Sequence, residues 1–150
     1  MSRELGSVPT WAKVATFLLS LIGLGISIYL TFTHFAGVKY LACSSTGTVD
    51  CAAVTTSPQS YFLHIPVAVL GLAQYTVMVA LCSPWAWRST RYPLHVARVA
   101  LAAVGMAFVL WLLAAELLII DHICLWCSGV HVVTLALLLI LTSVAPTQLG

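Results

Sequence analysis

The chain has 150 residues, of which 61% are hydrophobic and only 7% charged. With a mean hydropathy of +1.06, it lacks the polar groups that a water-soluble domain needs to cover its surface, and the bilayer is the natural solvent. The net charge of +2, carried by scattered Lys and Arg, offers no basic patch for nucleic acid, and the length suits a single domain, 1–150.

Taken in chain order, the first apolar stretch runs without a charge from Val14 to His34, long enough as a helix, at about 1.5 Å per residue, to cross a hydrocarbon core of about 30 Å. It is too long for a signal-peptide core, and no small-x-small cleavage site follows, so it reads as an uncleaved anchor. The predicted helix is 14–35. A long Ser/Thr-rich connection, 36–63, holds Cys43 and Cys51, and connections of that length in compact domains are usually functional or disordered. A second predicted helix, 65–82, is entered through Pro66, which the first turn tolerates. A third, 94–120, has Arg98 near one end and Glu116 near the other. After a tight turn at Asp121–His122, a fourth runs over 123–145, with no Lys, Arg, Asp or Glu and with Pro146 behind it. Arg3, Lys13, Arg88, Arg91 and Arg98 gather on one face, against Lys39 alone on the other. Basic residues favour the cytoplasm, which predicts a multi-pass protein of the cell (plasma or inner) membrane with both termini and the 83–93 connection inside. The 36–63 loop and the 121–122 turn are then exoplasmic. The predicted class is an all-α integral membrane protein, a four-transmembrane-helix bundle with a long exoplasmic loop between its first two helices.

This topology places four of the five cysteines on the exoplasmic face: Cys43 and Cys51 in the loop, Cys124 and Cys127 at the start of the last helix. Exoplasmic compartments are where disulfide chemistry persists. Cys82, at the cytoplasmic end of the second helix, has no partner there and reads as a small buried hydrophobe. Cys124-Leu-Trp-Cys127 is a Cys-x-x-Cys at a helix N-terminus. Residues three apart share a helix face, so the thiols can close a small reducible ring. The unpaired N–H groups and positive dipole end there stabilise a thiolate, and His122 stands next to the motif. A haem attachment needs His directly after the second Cys, where Ser128 stands, and zinc needs closer ligand spacing than the eight positions between Cys43 and Cys51. Cys43 and Cys51 fit either a static loop disulfide or a shuttle pair exchanging with Cys124 or Cys127, which proceeds by thiolate attack on a nearby sulfur. Two pairs at one membrane face, one on a flexible Ser/Thr/Gly spacer and one on a helix end, favour the relay.

Together these residues resemble a known family. Two loop cysteines, Ser57 shortly after the second, Ile65-Pro66 and Gly71 opening the next helix, and Asp121-His122-x-Cys124-x-Trp126-Cys127 before the last one look like vitamin K epoxide reductase, especially its bacterial homologues. The likeness spans the first helix to the fourth. It implies a four-helix bundle around a quinone pocket beneath the exoplasmic loop. Carried over by position, Cys43 exchanges with a partner thiol, Cys51 hands electrons to Cys124, and Cys127 attacks or reduces the quinone (menaquinone, ubiquinone or vitamin K type), while Ser57 matches a polar residue near the active site. The implied partner is a thioredoxin-fold, DsbA-like protein that inserts disulfides into exported proteins. Many bacterial members carry it fused at the C-terminus; here the chain ends just after the fourth helix, and a separate partner is expected. No metal or haem is implied. Where the vertebrate enzymes place a substrate-contacting Tyr, this chain has His131, which suits quinone reduction.

Reducing a quinone takes two electrons and two protons. His131, one turn below Cys127, is placed to donate to a ring held over that sulfur. Trp126, Tyr75 and Tyr61 are candidates to stack on the ring, and Gln74 is a further polar candidate. Glu116, an intramembrane carboxylate, is a functional candidate by position and could pass protons with Asp121 or His122. The disulfide-bond B oxidases, the other four-helix thiol–quinone family, place Cys-x-x-Cys in the first exoplasmic loop and the wider pair in the second; the order here is the opposite. A non-enzymatic membrane protein with two static disulfides is the alternative from another class.

Overall fold

The computed structural model describes residues 7–43, 45–89 and 91–149; Arg3 of the charge argument lies outside them. The chain is mostly helical. Three helices are long and apolar enough to cross a membrane: α1 (Thr10–Ala36), α5 (Tyr92–Ala115, extended to Ile120 by a π turn) and α6 (Leu125–Leu149). A shorter apolar helix, α3 (Val67–Cys82), has 16 residues. Between α1 and α3 lie a short helix α2 (Cys51–Thr55) and a hairpin of β1 (Tyr61–Phe62) and β2 (Ile65–Pro66), and α4 (Pro84–Arg88) links α3 to α5.

The helix limits differ from the sequence expectation for local reasons. Helix α1 starts at Thr10 rather than 14, because freedom from charge marks the hydrocarbon span and not the end of helical backbone. It stops at Gly37, whose φ of 116° a side chain would resist. Helix α3 starts at Val67 rather than 65, because Ile65 and Pro66 pair with Phe62 and Tyr61. Helix α6 starts at Leu125 rather than 123, because the Ile123 backbone is hydrogen-bonded elsewhere: its N–H donates to Thr48 O (2.7 Å) and its carbonyl accepts from Asp50 N–H (3.1 Å). The same helix continues through Pro146 to Leu149; so near a C-terminus the ring removes little of the helical ladder. The 37–66 segment carries more local structure than a free spacer. Thr46 and Val49 exchange two backbone hydrogen bonds (3.0 and 3.1 Å) around Gly47.

Small and hydroxylated residues let α1 approach its neighbours closely. Its buried face is Ala12, Thr16, Ser20, Gly23, Ser27, Leu30 and Thr33, and the Thr16 and Ser20 hydroxyls donate back to Ala12 O (2.8 Å) and Thr16 O (2.6 Å), which satisfies both within the helix. Helix α1 packs on α3 and α6, and α5 packs on α6, whereas α3 and α5 meet only briefly. At the α4 end, buried Arg98 donates to Leu81 O (2.6 Å) and Ala86 O (2.9 Å), lies 2.7 Å from His95 Nδ1, and stacks 3.8 Å over the Trp87 ring. It caps the carbonyl ends of α3 and α4. The outward faces are apolar, with Leu18, Ile22, Ile28, Leu110 and Leu139 more than half exposed, as lipid contact demands.

Candidate active site

The four cysteines of the two pairs meet at one end of the bundle. Cys51 opens α2, whose N-terminus is capped by Asp50 Oδ1 accepting from Ala53 N–H (3.0 Å). That hydrogen bond holds the Asp50 carboxyl below its ordinary range. Cys43 and Cys51 form a disulfide, and Cys124 and Cys127 are free thiols. Val49 bridges Ile123 in parallel, so the residues just before Cys51 are laced to the residue just before Cys124. As a result Cys51 (1% exposed) and Cys124 (0%) are buried in one apolar cluster with Val54, and Cys43, Cys127, Leu41, Ile120 and Trp126 pack against it. Cys124 sits immediately before the first residue of α6. The Cys127 N–H donates to the Cys124 sulfur at 3.2 Å. The neighbouring Cys127 thiol and this N–H hold the Cys124 thiol below its ordinary range despite burial.

Below the cluster, where α3 and α5 diverge, is a cavity of about 410 Å³, within the size of small-molecule sites. Leu30, Val104, Phe108, Leu112 and Val130 give it apolar walls, and Cys127 is the one cysteine among the described residues that lines it. Glu116 and His131 line it too, 2% and 6% exposed. Glu116 Oε2 and His131 Nδ1 have no hydrogen-bond partner. Buried polar atoms are rarely left unpaired, and these two border the space a ligand would fill. The π turn at Glu116–Ile120 turns Ala115 and Glu116 inward and Leu117, Leu118 and Ile119 outward. Such turns recur at functional sites.

The other residues singled out from the sequence divide in two. Ser57, Gln74 and Tyr75 line the cavity. Ser57 Oγ donates to Val54 O (2.7 Å), Gln74 Nε2 spans to Leu101 O on α5 (2.7 Å), and the Tyr75 hydroxyl shares hydrogen bonds with Val130 O (3.2 Å) and Thr134 Oγ1 (2.7 Å). Trp126, Tyr61, Asp121 and His122 lie outside the cavity lining. The Trp126 indole stands against Tyr29 at 4.8 Å and donates to Ala42 O (3.1 Å). Position 126 lies between the two cysteines, on another face of the helix from Cys127. The Tyr61 hydroxyl meets His34 Nε2 at 3.1 Å, with its ring 44% exposed. Asp121 is exposed in a left-handed turn (φ 58°), and His122 is only half-buried. Glu116 thus reaches the cavity without the two neighbours expected to relay protons with it. Missed from the sequence were His34 and Thr134, both in the lining. Ser27, Leu30 and His34 recur at helical spacing on α1, and that shared face is the signal that would have found His34. Among the described residues no group of three or more His, Cys, Asp or Glu could hold a metal ion.

Over residues 14–142 the sequence matches the model of the vitamin K epoxide reductase family. The chain belongs to that family. A comparison with curated proteins found no match. Membership of the vitamin K epoxide reductase family makes the protein a membrane oxidoreductase that works through thiols, and the family uses quinones as substrates, generally with thioredoxin-like redox partners. The matched span takes in both cysteine pairs and all the cavity-lining residues.

Proposed function

We propose that this protein oxidises the dithiol of a thioredoxin-fold, DsbA-like partner and reduces a membrane quinone, supporting disulfide formation in exported proteins. In this reading four helices cross the bilayer, with both termini cytoplasmic and the cysteines exoplasmic. Helix α3, at about 24 Å by its 16 residues, is the shortest crossing and is extended by the hairpin at one end and α4 at the other.

The observation that carries the reading is the sequence of burial. Cys51 and Cys124 share one apolar cluster, and only Cys127 turns to the cavity. A partner thiolate attacks the Cys43 sulfur of the Cys43–Cys51 disulfide and expels Cys51. The second partner thiol then resolves the mixed disulfide, leaving the partner oxidised and Cys43 and Cys51 reduced. The Cys51 thiolate attacks Cys124 of a Cys124–Cys127 disulfide and expels Cys127; Cys43 then attacks Cys51, restoring the loop disulfide and releasing Cys124. That endpoint, a loop disulfide beside two free thiols, is the arrangement the structure holds. Cys127 next bonds to the quinone ring. The Cys124 thiolate, favoured by the hydrogen bonds it accepts, attacks the Cys127 sulfur, and the electron pair of the broken S–C bond goes to the ring. Two protons complete the quinol, and Glu116 and His131 are the groups placed to supply them. Ser57, Gln74 and Tyr75 shape and polarise the pocket.

The free Cys124 and Cys127 thiols favour this relay over two static disulfides. The test is quinol formation by the purified protein in detergent, given a reduced thioredoxin-fold partner and a soluble quinone, with Cys127→Ala as control. Turnover that disappears in the variant is expected. Folded protein that forms no quinol, and whose four cysteines never exchange, would mean that the pairs are structural.

A further inference from the structure

The relay requires Cys43 to stay close to Cys51 and Cys124 even when the loop disulfide is open. One side of the loop is held by the Thr48–Asp50 pairing with Ile123. The other side, which carries Cys43, is held around one residue, Ala42. The Ala42 N–H donates to the Tyr29 hydroxyl (2.8 Å), the Ala42 carbonyl accepts from Trp126 Nε1 (3.1 Å), and the Tyr29 hydroxyl donates onward to Tyr40 O (2.9 Å). The two rings pack at 4.8 Å. Tyr29 belongs to α1, Trp126 lies between the Cys-x-x-Cys cysteines, and Ala42 immediately precedes Cys43. Both hydrogen-bonding groups of Ala42 are therefore occupied by side chains from two helices, and each aromatic residue holds the loop without reaching the cavity.

We propose that Tyr29 and Trp126 are positioning residues that clamp Ala42 and so keep Cys43 in register with the Cys124–Cys127 pair. The inference rests on the thiol–quinone reading above. Its consequence falls on one step. When Cys51 has attacked Cys124, the Cys51–Cys124 bond breaks only if the Cys43 thiolate attacks the Cys51 sulfur, forming Cys43–Cys51 and releasing Cys124 with the electron pair. In that intermediate no disulfide joins Cys43 to its target. The clamp then helps to hold the Cys43 side of the loop nearby and raises its effective concentration. Quinone binding and the final transfer from Cys127 do not involve Ala42.

Tyr29→Phe keeps the ring and removes the hydroxyl; Trp126→Phe removes the indole donor. In each variant steady-state quinol formation driven by the reduced partner should fall about tenfold, the loss expected for a hydrogen-bonded register of this size. Acid-quenched samples should accumulate the Cys51–Cys124 mixed disulfide. The KM for quinone, and the single-turnover burst of quinol from protein reduced beforehand, should stay within about twofold of wild type. Unchanged steady-state turnover in both variants, or a burst that falls in parallel with it, overturns the clamp. A wild-type protein that gives no burst sinks the thiol–quinone reading, and the clamp with it. Independently of any variant, the Ala42 amide of the wild type should exchange slowly with deuterium; exchange as fast as that of an open loop amide also overturns the proposal.

Discussion

The approach of α3 to Gly23 of α1 sets a sharp test. A methyl group on Gly23 of α1 would run into the ring of Tyr75 on α3, meeting three of its ring atoms. That ring cannot swing away at low cost, because Tyr75 is only 3% exposed and its hydroxyl is engaged with Val130 O and Thr134 Oγ1. Gly23→Ala therefore forces either α1 or the ring to move. Overpacking a filled interior costs about 1–3 kcal/mol, and disturbing two buried hydrogen bonds adds about 0.5–1.5 kcal/mol each, for a total of about 2–6 kcal/mol. For a chain of this length that corresponds to a fall in Tm of about 4–24 °C. Thermal unfolding in detergent, followed by circular dichroism, measures it. Because Tyr75 lines the cavity, the KM for quinone should rise in the same variant. Pairing Gly23→Ala with Tyr75→Leu should cost less than the sum of the two single changes, since the smaller side chain removes the collision. A Tm within about 1 °C of wild type, or strict additivity in the pair, would refute the packing argument.

Three further outcomes follow from the site. Glu116→Gln should slow quinol formation by about tenfold or more while leaving formation of the Cys51–Cys124 mixed disulfide intact, which stopped-flow absorbance and non-reducing gels separate; equal loss of both would remove Glu116 from proton supply. The Asp50 carboxyl is held low by its cap on α2, so its contribution is present above its ordinary value of 3.8 and disappears as the pH falls through its lower folded value. Acid loosening of the 48–51 backbone, read by amide exchange below about pH 4, should be present in wild type and absent as a pH-dependent step in Asp50→Ala. Arg98→Met leaves the Leu81 and Ala86 carbonyls without their donor and should lower the free energy of unfolding by about 1.5–3 kcal/mol, with the KM for quinone unchanged.

Much of this protein was legible before any coordinates. Composition and apolar run length determined that the chain belongs in a bilayer, because a helix must satisfy its own backbone there and needs a continuous apolar surface. Motif order and spacing around Cys43, Cys51, Cys124 and Cys127 identified the family. The tight turn at Asp121–His122 was read as the break between the last two helices. The tertiary structure decided what linear spacing cannot encode. Trp126 and Tyr61 are aromatic residues beside the motif and the loop, and nothing in their type distinguishes a ring that stacks on a ligand from one that holds a backbone. That choice was made by Ala42, 84 positions from Trp126, and by His34. The helix limit at Leu125 was likewise set by a backbone pairing with Thr48 and Asp50, far away in the chain. Glu116 and His131 became a pair only when the π turn and α6 brought both to one cavity. A sequence states which groups a chain can offer; their partners depend on which helices approach closely, and here that was decided by the small-residue face of α1 and by the gap it leaves between α3 and α5.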